Sequence, residues 1–135
     1  MWMLLALLLI STVVSAASQS KEGSRVYFIS PKDGEIVQNP IKLSFGLEGM
    51  NLAEAGINSP YSGHHHLLIN VNQLPDMSLP VPADHQHIHF GKGQSNSVIT
   101  LKPGNYTLQL LFADYLHIPH EQPIFSNKIS IKVVE

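Results

Sequence analysis

The segment Leu101-Lys-Pro-Gly-Asn-Tyr106-Thr-Leu-Gln-Leu110 constrains this chain more than any other. A tyrosine opens an alternating stretch directly after a Pro-Gly corner. That is the layout of the tyrosine corner found in Greek-key sandwiches, where the phenol bonds back to the chain upstream. With a period of two, Leu108, Leu110 and Phe112 fall on the face of Tyr106 and point into a core.

The same rhythm runs through the chain. Arg25 to Ser30 reads as a first strand, closed by the turn sequence Pro31-Lys-Asp-Gly34. Ile36-Val37 and Ile41 to Leu47 follow, the latter with Leu43, Phe45 and Leu47 alternating against Lys42 and Ser44. His65 to Val71 is a strand with His65, Leu67, Ile69 and Val71 on one face, and His64, His66, Leu68 and Asn70 on the other. Ser97 to Leu101 and Tyr106 to Tyr115 are expected to form a hairpin, and Ile124 to Val134 to close the domain. Gly49 to Gly63, with a helical turn around Leu52 to Ala55, and the proline-rich Asn72 to Asp84 are two long loops. No amphipathic helical stretch and no internal repeat is present. The pattern predicts an all-β fold, an immunoglobulin-like antiparallel β-sandwich of about seven strands with two long loops.

Residues 1–17 stand apart. Leu4 to Ile10 is an unbroken apolar run, extended by Val13 and Val14 and followed by Ser15, Ala16 and Ala17. This is the plan of a cleavable signal peptide, although no Lys or Arg precedes the run. The run falls short of the roughly 20 apolar residues that span a bilayer, so no stable membrane anchor is expected after cleavage. The expectation is a periplasmic or secreted protein whose residues 18–135 form a single domain. Net charge is −2 with scattered Lys and Arg, unlike the basic footprint of nucleic-acid binders. The chain has no cysteine, which excludes a blue copper centre and leaves stability to packing alone.

All 8 histidines lie between His64 and His120, in three clusters. They read Gly63-His-His-His66, His85-Gln-His-Ile-His89 and Asp114-Tyr-Leu-His-Ile-Pro-His120. Imidazole is the commonest protein metal ligand. On a strand, His64 and His66 share a face and can chelate one ion, while His65 points toward the apolar face as a core histidine. His87 and His89 form a His-x-His unit, and His117 and His120 sit in a loop that Pro119 keeps from becoming a helix. Each cluster also has a structural reading, with imidazoles bonded to loop carbonyls. Asp84 reads as a turn residue before it reads as an orienting partner. Three clusters that a sandwich can bring to one end favour metal more than any one cluster does.

Enzyme signatures are missing: there is no Gly-x-Ser-x-Gly elbow and no His-Glu-x-x-His helix. Gly91-Lys92-Gly93 reads as a turn. An enzymatic reading needs an open metal position and a base, for which Asp84 or Asp114 is the candidate.

Four segments carry a family resemblance: Gly63-His-His-His-Leu-Leu-Ile-Asn70, His87-Ile-His-Phe-Gly-Lys-Gly-Gln94, Leu101 to Leu110, and Asp114 to His120. The chain resembles, over about residues 26–134, an uncharacterised family of small exported bacterial domains, catalogued as a domain of unknown function. The resemblance implies a bacterial exported β-sandwich and supplies no activity. It makes His64, His65, His66, His87, His89, His117 and His120 part of the family motif, with His85 an extra.

Two functions follow. The first is a periplasmic domain binding a divalent metal, zinc or copper, through His64, His66, His87, His89, His117 or His120, of which only three or four fit one ion. The second is a metal-free module whose histidines hydrogen-bond to lock loops around a small ligand or a cell-envelope protein partner. They differ in where the imidazole nitrogens are spent: on a common point, or on carbonyls and carboxylates.

Overall fold

A computed structural model describes residues 17–135, so the expected leader lies outside the described residues but for Ala17. Ten strands follow one another: β1 Arg25–Ser30, β2 Glu35–Gln38, β3 Ile41–Glu48, β4 Asn51–Leu52, β5 Ser62–Ile69, β6 His87–His89, β7 Asn96–Ile99, β8 Gly104–Ala113, β9 Pro119–Phe125 and β10 Ile129–Val134. The fold is the expected all-β sandwich, with ten strands where about seven were read; the additions are mostly two- to four-residue pieces at sheet edges. Among the described residues no helix is long and apolar enough to cross a membrane.

One sheet has three strands in the order β1-β3-β7. The larger has β2-β10-β8-β5-β4 as its path, with β6 also on β5 and β9 also on β8. All pairings are antiparallel except β2 with β10 and β4 with β5. Val26, Ile41, Leu43 and Phe45 from the small sheet meet Leu67, Ile69, Leu108, Leu110, Phe112, Ile131 and Val133 from the large one. Fully burying an aliphatic side chain of this size contributes about 1.5–3 kcal/mol, which is how a domain without disulfides coheres. Tyr106 makes the anticipated corner, its hydroxyl donating to the Lys102 carbonyl at 2.7 Å.

Four local expectations are corrected. Ser97–Leu101 and the Tyr106 strand are not a hairpin: β7 pairs with β3, so Lys102–Pro103 carries the chain across to the other sheet. The segment Ile124–Val134 is two strands, β9 ending at Phe125 and β10 starting at Ile129. No helical turn forms around Leu52–Ala55; β4 and a turn occupy it, because Asn51 and Ala53 donate to the Tyr61 and Gly63 carbonyls instead. Val71 leaves the face of Leu67 and Ile69, since Asn70 takes a φ of +54° that breaks the alternation.

Val71 goes to the outer face of the large sheet. There it joins a second apolar cluster of Leu68, Leu111, Ala113 and Val81, with Leu74 and Met77 packed against it. The proline-rich loop is therefore a lid on that face. As a result every residue of β5 is buried, on both sides of the sheet.

Candidate metal centre

β5 is the foundation of the site. Its alternation sends His65 into the main core and His64 and His66 to the outer face beside Leu68. Gly63 lets β5 approach β8 this closely, because a Cβ there would sit 2.1 Å from the Ala113 carbonyl oxygen. β6 pairs with the other edge of β5 so that His89 stands directly opposite His66. The loop between β8 and β9 supplies His117.

That loop is shaped by Asp114. One carboxylate oxygen accepts from the backbone N–H of Leu116 (2.9 Å) and of Ile118 (3.0 Å), and the other accepts from the Ser18 hydroxyl (2.6 Å). The His117 N–H donates to the Asp114 carbonyl at 2.9 Å, and the His117 carbonyl accepts from Val81 N–H at 2.7 Å. These bonds hold His117 at a φ of +65°, a left-handed conformation uncommon for a side-chain-bearing residue.

The outcome is a tetrad. His64, His66, His89 and His117 each offer one ring nitrogen, and the four lie within 4.8 Å of one another. The ring centroids are 4.5 Å apart for His89–His117 and 5.8 Å for His66–His117, with the other four pairs in between. A tetrahedral zinc ion with nitrogens about 2.0–2.1 Å away has ligand nitrogens about 3.4 Å from one another. Side-chain rotations of about an ångström close the tetrad to that size. One pair is already there: His64 Nε2 and His117 Nδ1 share a hydrogen bond of 3.0 Å.

Electrostatics disfavour protonation of His64, His66 and His89. Burial, reinforced by His89 and His117, lowers the His64 pKa to about 4. Burial and the other three imidazoles lower His66 to about 2. His89 is lowered too, by burial and then by His117. Metal therefore competes with few bound protons at neutral pH. His64 Nδ1 and His66 Nδ1 are buried with no hydrogen-bond partner among the described residues, which for a polar atom costs about 1–3 kcal/mol. An all-imidazole set suits zinc or copper.

The remaining histidines behave otherwise. His87, read as a ligand, instead pairs its Nδ1 with Asp84 at 2.7 Å. His120, also read as a ligand, is buried with Nε2 donating to the Ser62 carbonyl at 3.0 Å and its ring stacked on Phe112. A cleft of about 270 Å³ that His120 lines with Ser18, Asn58 and Tyr61 contains no tetrad residue. His85 is exposed. His65 is the core histidine expected, held between Phe45 and Phe112 at 5.0 and 5.3 Å. Asp84 is a turn residue that also accepts from Gln86 N–H at 2.9 Å. Neither carboxylate put forward as a base is free, since Asp84 and Asp114 are both spent on their own loops.

Gly91 lies in the expected turn and has a second role in the site that the sequence does not announce. A Cβ there would lie 2.3 Å from His89 Cε1 and 2.5 Å from Nε2, so the His89 ring occupies the space a side chain would take. The only sequence sign of this was a glycine two residues after a His-x-His unit.

The family model described as Domain of unknown function (DUF4399) matches residues 43–134. The chain belongs to that family. The match contains all three histidine clusters and every strand of the site, and it begins after β1 and β2. No curated protein and no solved structure matches the chain.

Proposed function

We propose that the protein is an exported, periplasmic metal-binding domain that holds one divalent ion, zinc or copper, through His64, His66, His89 and His117. One observation carries this reading: ring nitrogens from three separate chain segments lie within 4.8 Å of one another. The locking alternative asks for imidazoles bonded to carbonyls or carboxylates. His87 and His120 do that, whereas the bond from His64 Nε2 to His117 Nδ1 joins two of the tetrad's own rings.

Export is part of the proposal and rests on the apolar run Leu4 to Ile10 with the small residues Ser15 to Ala17. Four imidazole ligands leave the ion's double positive charge uncompensated, and Asp114, whose charge acts on His64, is engaged by backbone N–H groups and Ser18. A closed four-nitrogen shell suits holding or carrying an ion rather than activating water, which needs an open position.

Calorimetric titration of the untagged chain with zinc and with copper tests the reading. One ion per chain at micromolar affinity or better is expected, abolished when His64 and His117 are both replaced by Ala. Unchanged binding in that double variant sinks the tetrad.

A further inference from the structure

The four ligands are unequal, and the inequality has a direction. His64 and His66 are 0% and 1% exposed, and they lie mid-sheet on a strand bonded along both edges. Neither leaves the site without opening the sheet. His117 is half-buried and fixed by the Asp114 loop, by Val81 and by its ring contact with His64. His89 is the exposed member. It ends a three-residue strand, no hydrogen bond from the described residues holds its ring, and the residue its ring leans over is Gly91, which has no side chain to wall it in.

Resting on the metal-binding reading, we propose that the ion is exchangeable cargo that enters and leaves past His89. His89 is the ligand that yields to an incoming nitrogen or sulfur donor of an acceptor. The new metal–donor bond forms as the metal–His89 bond breaks, so coordination number and oxidation state are unchanged and three anchored imidazoles hold the ion meanwhile. Transfer then requires neither acid nor unfolding. A structural ion, by contrast, would be enclosed on all sides, and its loss would wait on opening of the sandwich.

The experiment is release of one equivalent of zinc from the full chain into excess chromogenic chelator, at several chelator concentrations. The expected release rate rises in proportion to chelator concentration. His89→Ala is expected to keep one zinc per chain but release it at least tenfold faster, while His66→Ala loses the ion outright. His87→Ala, altering a histidine outside the tetrad, leaves the rate unchanged. A rate independent of chelator, or an His89→Ala variant no faster than the parent, overturns the exchange route while leaving metal binding intact. A chain that takes up no zinc overturns both.

Discussion

His65 offers the sharpest test of the packing, because it is fully buried and neither ring nitrogen has a hydrogen-bond partner among the described residues. Burial alone lowers its pKa to about 4. Replacement by Leu, of similar volume, removes an unsatisfied polar ring from between Phe45 and Phe112. Each unpartnered nitrogen costs about 1–3 kcal/mol, against about 0.5–1.5 kcal/mol for a lost aromatic contact. His65→Leu is thus expected to stabilise the metal-free protein at pH 7 by about 1–3 kcal/mol. The gain should grow in acid. A histidine of ordinary pKa 6.5 in the unfolded chain binds its proton between pH 7 and 5, while one held near 4 in the fold does not. Stability is therefore lost as pH falls through 6.5, by about 2 kcal/mol at pH 5. His64 and His66, also lowered to 4 or below, act in the same direction. All three therefore favour loss of stability in acid. Urea unfolding with a chelator present, at pH 7 and pH 5, measures both effects. The expected variant gains at pH 7 and gains about 2 kcal/mol more at pH 5. A variant destabilised at both pH values, or a parent equally stable at both, refutes the reasoning.

Other perturbations separate the supports of the tetrad. Gly91→Ala places a methyl against the His89 ring, and should weaken zinc binding tenfold or more in calorimetry with little change in the urea midpoint. Asp114→Ala frees the Leu116 and Ile118 N–H groups and the Ser18 hydroxyl, and should cost about 1–3 kcal/mol in the same unfolding assay. It should also weaken zinc binding, because His117 is no longer held in its left-handed conformation; unaltered affinity would mean that the loop needs no such brace.

What could be read from the sequence was whatever a period of two determines. Alternation in β5 and β8 fixes Leu108, Leu110 and Phe112 in the core, sends His65 inward and leaves His64 and His66 together outside. The Pro-Gly-x-Tyr corner likewise depends on local geometry. Partner choice was another matter. The stretch Ser97 to Tyr115 looks like a hairpin because two alternating runs flank a turn, yet β7 finds its partner in β3 across the sandwich. Nothing local favours one over the other. Asn70 shows the same limit, since one positive φ moves Val71 to the opposite face and so builds the second cluster. Within the histidines, spacing identified the three contributing segments. It did not show that Asp84 would take His87, that the Ser62 carbonyl would take His120, or that Gly91 would make room for His89.

The most direct measurement is X-ray absorption at the metal edge of the chain loaded with one equivalent of zinc. The expected spectrum has about four nitrogen scatterers near 2.0–2.1 Å with the outer-shell pattern of imidazole, reduced to three in His89→Ala. A first shell dominated by water or carboxylate oxygen, or one unaltered when His64 and His66 are replaced, would contradict a centre built on this tetrad.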